Sequence, residues 1–237
     1  MVMPRDSVGA PTVESAAAPA DANAPAAASP AGRPAQQRAI RTRQQILLAA
    51  AQLFADNGIH GTALAEAAAS AEVTKGALTF HFPTKDALVQ ALITEQEQRT
   101  LATIGAVLHT DAPALEQLVA LTHALGRLFT EDLIVQAGLR LTGEYERADP
   151  EAYRGWITVF ESLFRRAAAE GELSTRLHPT AHARFLVSAV AGVYLLSMVL
   201  AGRADLEVRL DQMWELLLPG IVRADRHDRI PVIRTAR

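Results

Sequence analysis

Residues 49–88, AAAQLFADNGIHGTALAEAAASAEVTKGALTFHFPTKDAL, decide the fold. Gly58 and Gly61 stop a helix that begins upstream. Thr62 is placed to cap a short helix running through Ala69. After a turn of three or four residues, Thr74 is placed to cap a second helix, TKGALTF, which ends at the aromatic cluster Phe80-His81-Phe82. Two short helices joined by a tight turn describe a helix-turn-helix. In that motif the second helix enters the major groove of DNA with its N-terminal side chains toward the base edges.

The side chains suit that task. Thr74 can reach a phosphate or a base, and Lys75 can donate to guanine O6 and N7. Gly76 lets the backbone approach closely, and Ala77 or the Thr79 methyl can meet a thymine methyl. Phe80 and His81 end the same helix. Lys85 and the free amides at the start of the following helix offer a phosphate site. Leu64, Val73, Leu78, Phe80 and Phe82 supply the apolar packing of such a three-helix unit. The helix before it, residues 38–58, carries Ile40, Ile46, Leu47, Ala50, Leu53 and Phe54 on one broad face and Arg38, Arg41 and Arg43 near its start. Cations there oppose the helix macrodipole, so an external anion such as phosphate accounts for them.

Charge is distributed accordingly. The whole chain of 237 residues is acidic, with a formal net charge of −3, which by itself argues against a nucleic-acid partner. Between Arg33 and Lys85, however, Arg33, Arg38, Arg41, Arg43, Lys75 and Lys85 face only Asp56, Glu66 and Glu72, a local balance of +3. Lys75 and Lys85 are the only lysines in the sequence, and both flank the second helix of the motif.

From Gln36 onward, apolar residues recur at helical spacing without period-two alternation, so the folded part reads as all-α. Pro83-Thr84 opens a long helix to about His109, and Asp111-Ala-Pro113 opens another. Segments 131–145, 149–170, 178–202 and 205–222 follow, each bounded by Asp, Pro or Gly signals. The expected organisation is a disordered Ala/Pro-rich tail over 1–35, a DNA-binding domain over 36–84, a helical ligand-binding and dimerisation domain over 85–223, and a C-terminal tail over 224–237. The first 35 residues hold 12 alanines and half of the chain's 12 prolines, too little apolar surface to offset ordering entropy. They contain no continuous apolar core of a secretory signal, so a cytoplasmic protein is expected. The run FLVSAVAGVYLLSMVLAG, 185–202, has the minimum length of a membrane span. It is isolated and contains Ser188, Ser197 and two glycines, so it reads instead as a helix buried in a core or an oligomer interface.

Chemistry of other kinds finds no support. Without cysteine there is no disulfide, thiolate nucleophile or Cys-ligated zinc. No nucleophile lies beside a base, and His178 and His182 lack a third metal ligand, so no catalytic residue, metal or cofactor is expected. An enzyme acting on a lactone or ester is the remote alternative.

The quoted stretch resembles the amino-terminal signature of the TetR family of regulators over about 40 consecutive positions, with three departures. Ala67 stands where the family usually has Ile or Val, Glu72 where it has a turn glycine, and Thr79 where it has a tyrosine that commonly touches DNA phosphate. A shorter hydroxyl at Thr79 reaches phosphate through water. VTKGALTFHF, QAGLRL, Trp156 in mid-helix and MWELLLPGIV are similar to the γ-butyrolactone receptor subgroup. That resemblance implies a homodimeric repressor of secondary-metabolite (antibiotic) genes, released from a double-stranded operator by a small lactone, butenolide or furan-type effector. It also implies a dimer interface made of the last two long helices, which accounts for the uncharged run. It places the effector among residues 101–202, with Trp156 matching the subgroup's pocket tryptophan. Polar candidates around it are Gln136, Arg140, Tyr145, Thr122, Ser188, and Thr158 or Tyr153. Few acidic residues occur in these apolar segments, so a neutral or weakly anionic ligand is expected over a cationic drug, and Arg140 could pair with a carboxylate. A TetR-type regulator of drug efflux and an antibiotic-sensing pseudo-receptor are the alternatives within the family.

Overall fold

The computed structural model describes residues 32–144, 150–174 and 178–237. The described residues divide at Arg38, with 32–38 in one unit and Ala39–Arg237 in another. Among the described residues there is no β-ladder, only a single bridge between Leu173 and Val222. Helix α1 spans Gly32–Asn57, α2 Leu64–Ser70, α3 Lys75–His81, α4 Lys85–Leu108, α5 Ala114–Glu131 and α6 Leu133–Glu144. They are followed by α7 Pro150–Ala169, α8 Pro179–Ala201, α9 Leu206–Ile221, a 3-10 turn Ala224–Arg229 and α10 Ile230–Arg234. Most of the expected tail over 1–35 lies outside the described residues, while 32–35 belong to α1.

Two apolar cores form. Ile46, Leu47, Ala50 and Phe54 of α1, Ala67 and Ala68 of α2, Leu78 of α3 and Leu88, Val89 and Leu92 of α4 close the first, and Ile134, Ala137 and Leu141 of α6 complete it. The second gathers α5, α7, α9 and the inner side of α8 around Leu118, Leu121, Phe164 and Trp214. Ile104, near the far end of α4, belongs to this second core, so α4 is one rod shared by both halves. The crossing of α6 on α4 is close because position 138 is glycine; a Cβ there would lie 2.4 Å from Gln96 Cβ.

Several local readings change. Ile40 is 51% exposed and Leu53 only half-buried, so the inward face of α1 is narrower than its apolar residues suggest. Thr62 does not cap α2. Ala63 takes that position, and the Glu66 carboxylate accepts its N–H at 2.9 Å. Thr62 turns inward, 3% exposed, and its hydroxyl donates to the Gly58 and Leu53 carbonyls. Glu72 adopts φ +52° in the turn after α2, the left-handed region that glycine occupies without cost. Glu72→Gly should therefore raise stability by about 1 kcal/mol. Thermal unfolding checks this, and an unchanged or lowered Tm would contradict it.

The last fourteen residues are not a loose tail. Ile233 is fully buried in the second core, and Arg229 pairs with Glu116 of α5 and with Glu172. Helix α8 is the one described helix long and apolar enough to span a membrane by length and composition, yet only 17% of its apolar stretch is buried. Its bare side is therefore exposed rather than packed in the core.

Candidate DNA interface and effector region

The second helix of the motif presents a defined face. Thr74 caps α3 by accepting the Ala77 N–H at 3.1 Å, which leaves its hydroxyl proton free to donate outward. Leu78 points into the core, and Lys75, Gly76, Thr79 and Phe80 are exposed together, with Ala77 and His81 half-buried. The Thr79 hydroxyl donates back to the Lys75 carbonyl at 2.9 Å. Phe80, counted among the packing residues above, is 80% exposed, its ring edge-on to His81 with centroids 5.1 Å apart. Two residues along a helix turn the side chain by about 200°, so Leu78 and Phe80 cannot both face inward. Phe82 lies past the helix end in extended backbone and folds back into the core.

Thr84 caps α4 through the Ala87 N–H at 3.0 Å, which sets Lys85 at the first helical position, half-buried. Arg41 and Arg43 are exposed on α1, and the Arg43 guanidinium rests over the Phe82 ring at 5.3 Å. Among the described residues Arg41, Arg43, Lys75 and Lys85 form no ion pair. In the other half Arg99, Arg127, Arg165, Arg166, Arg209, Arg229 and Arg237 each have a carboxylate partner. Cations left unpaired on one surface suit phosphates supplied from outside.

The solved neighbours and family profiles agree with this geometry. The profile "Bacterial regulatory proteins, tetR family" matches residues 46–92, and "Tetracyclin repressor-like, C-terminal domain" matches residues 112–223. The chain belongs to the TetR family. It is 32% identical over 187 residues to the A-factor receptor protein of Streptomyces griseus, a match covering 78% of this chain and 66% of that relative. It superposes on the crystal structure of a γ-butyrolactone receptor (ArpA-like protein) with TM-score 0.72 and 30% identity, over 83% of this chain and 96% of that one. With CprB of Streptomyces coelicolor, solved in complex with its biological operator sequence, the TM-score is 0.68 and the identity 31%, over 83% and 96% of the two chains. This TetR-family protein is thus a DNA-binding regulator related to the γ-butyrolactone receptors, and the family gives no support to the enzyme alternative.

The effector candidates are less concentrated. Trp156 on α7 is half-buried against the second core and stacks on Phe160 at 6.4 Å. Thr158 and Ser188 are exposed, each hydroxyl donating to the carbonyl four residues back. Gln136 donates to the Thr130 carbonyl and accepts from Arg203. Thr122 and Arg140 are engaged by protein groups: Thr122 accepts the Trp214 indole N–H at 2.7 Å, and Arg140 donates to Glu144 and to the Ala55 carbonyl. Tyr145 lies outside the described residues, as does the side chain of Tyr153. Two surface cavities, of about 450 Å³ beside Arg223 and about 240 Å³ between α1, α4 and α6, are lined by none of these candidates. Sequence reasoning missed Glu144, which accepts the Ile59 N–H at 2.7 Å across 85 residues, a separation at which no local pattern exists.

Proposed function

We propose that this protein is a cytoplasmic homodimeric repressor that holds a pseudo-palindromic operator of secondary-metabolite (antibiotic) genes and is released by a small lactone, butenolide or furan-type effector. The observation that carries the DNA reading is the surface of Lys75, Thr79, Phe80, Arg41, Arg43 and Lys85, cationic and, among the described residues, free of carboxylate partners, with Thr74, Gly76, Ala77 and His81 completing the α3 face. Thr62 contributes from inside by fixing the turn between α1 and α2. Dimerisation through α8 and α9 is supported by the apolar side they leave bare: Phe185, Leu195, Leu196 and Val199 on α8, with Val208 and Leu216 on α9. A monomer exposing that contiguous patch is poorly soluble, and a second copy related by a two-fold axis covers both patches at once. The lactone class rests on the relatives named above, and Trp156 is the residue best placed to meet such a ligand, half-buried at the edge of the effector core.

Two heads then read half-sites roughly 34 to 36 Å apart, or a multiple of it. A ligand that shifts α4, the rod common to both cores, changes that spacing. A coupling of about 1 to 3 kcal/mol weakens binding about 5- to 150-fold. The test is to select the operator from random duplex DNA with the full-length protein and then add synthetic γ-butyrolactones to the complex. Release supports the proposal, whereas a complex indifferent to every lactone overturns the effector class. On the selected operator, Lys75→Ala should cost about 1 to 3 kcal/mol and relax preference at one base position. Lys85→Ala should weaken all sequences alike and lower the salt slope by about one. Identical behaviour of the two variants on every sequence would remove Lys75 as a base reader.

A further inference from the structure

We propose that Arg140 and Glu144 are positioning residues for operator reading: from the last turn of α6 they clamp the end of α1 and so set the angle at which the reading head is held. The inference rests on the operator reading above. The clamp has three bonds. The Arg140 Nη1 group donates to the Ala55 carbonyl at 2.6 Å, and its Nε donates to Glu144 Oε1 at 2.8 Å. Glu144 Oε2 accepts the Ile59 N–H at 2.7 Å. Ala55 O is among the last carbonyls of α1, and Ile59 N–H lies just past its end, so both are backbone groups for which the helix itself has no partner. Helix ends are ordinarily completed by their own loop or by water. Here a guanidinium and a carboxylate from another helix do it, one on a carbonyl and one on an amide, which fixes direction as well as distance.

The turn is shaped to admit them. Gly58, between the two bonded groups, is buried at φ +69°, and a Cβ there would lie 2.5 Å from Glu144 Oε1. Glycine is needed for the backbone angle and for the carboxylate alike. The Glu144 carboxyl is held below its usual range, first by the Arg140 hydrogen bond and, against burial, by the Ile59 amide and the charges of Arg140 and His60. The carboxylate therefore stays ionised as an acceptor into mildly acidic solution. Elsewhere α6 meets the first core through Ile134, Ala137 and Leu141, apolar contacts without directional preference. The clamp supplies the direction.

The experiment uses full-length protein, the operator selected by the wild type, and the same operator with its half-sites moved apart by one or two base pairs, together with a single half-site. Arg140→Met and Glu144→Gln are compared with Arg140→Lys, which keeps the cation, and with Arg165→Met. That last variant breaks the Arg165–Glu161 pair, which lies within α7. The wild type, Arg140→Lys and Arg165→Met should prefer the original spacing. Arg140→Met and Glu144→Gln should lose about fivefold or more of that preference while holding the single half-site as the wild type does. Variants that melt earlier but keep the wild-type spacing preference would overturn the proposal, leaving the clamp a local stabiliser. A wild type that selects no paired half-sites overturns the operator reading itself, and this proposal with it.

Discussion

Trp214→Ala is expected to destabilise the protein by about 3 to 5 kcal/mol. Trp214 is the largest fully buried side chain among the described residues, and it sits on α9 among Leu210, Met213 and Leu218 in the second core. Truncation leaves a cavity beside Thr122 of α5 among the side chains of the second core, which packed helices refill only in part. It also removes the indole N–H that reaches Thr122 Oγ1 at 2.7 Å. The two contributions can be separated. Thr122 keeps its own donation to the Val119 carbonyl, so Trp214→Phe strands no donor and should cost only about 1 kcal/mol for the hydrogen bond plus the small loss of ring volume. In a domain of this size, 4 kcal/mol lowers Tm by about 8 to 16 °C. The consequence extends to function because α9 has two faces. Trp214 anchors the inner one, while Val208 and Leu216 stand bare on the outer one. Loosening the anchor should weaken self-association and, through it, operator binding. Calorimetry on the two variants, with sedimentation for the dimer, measures each part. A Trp214→Ala cost below about 1.5 kcal/mol would mean that the core refills, and would remove Trp214 as the support of the outer face.

What the sequence made legible follows the range of the interaction involved. Thr74 is an N-cap in the structure as read, and Thr84, read as opening the long helix, caps it, because a cap is decided by a hydroxyl and an amide three residues apart. Glu72 stands out in sequence as the wrong residue for a turn, and its positive φ is the structural side of the same fact. The reading of Thr62 as a cap failed by one residue: Glu66 competes for the N–H of Ala63, and the hydroxyl finds two carbonyls inside. Phe80 reads as packing because Leu78, Phe80 and Phe82 look like one apolar set, whereas the helix ends between His81 and Phe82 and turns Phe80 outward. Arg140 and Thr122 attract attention as polar groups in apolar helices. Their partners, Ala55 and Trp214, lie 85 and 92 residues away, and no pattern in one sequence pairs them. The C-terminal segment 224–237 reads as a tail, yet its arginines meet Glu116, Glu172 and Asp211 on the folded body. The uncharged run of α8 was visible as unusual. That its bare side faces outward depends on where α5, α7 and α9 already fill the core.

Stability should fall by up to about 3 kcal/mol as the pH drops from 6.5 to 4, through protonation of His123. This imidazole on α5 has no exposed side-chain surface, and its pKa is lowered to about 4. Burial is the largest cause, followed by the charge of Arg237. Asp211 and Glu207 pull the other way, and Arg127 adds a further positive charge. The hydrogen bonds require the same protonation state. Arg237 Nη1 lies 2.7 Å from Nδ1 and 3.1 Å from Nε2, and a guanidinium can only donate, so it faces a ring with a bare nitrogen, the neutral form. Asp211 Oδ1 lies 3.4 Å from Nε2. A folded pKa below the unfolded value means that the unfolded chain takes up the proton first. The stabilisation is therefore complete above pH 6.5 and is lost as the pH falls toward 4. Carboxylates elsewhere also titrate near the lower limit, so the informative quantity is the difference between wild type and His123→Gln, a neutral side chain able to accept from Arg237. That difference should shrink by about 3 kcal/mol between pH 7 and pH 4 in urea unfolding, because only the wild type carries the titrating ring. Parallel pH dependence of the two proteins would show that His123 already exchanges its proton with solvent in the folded state, with Arg237 displaced from it.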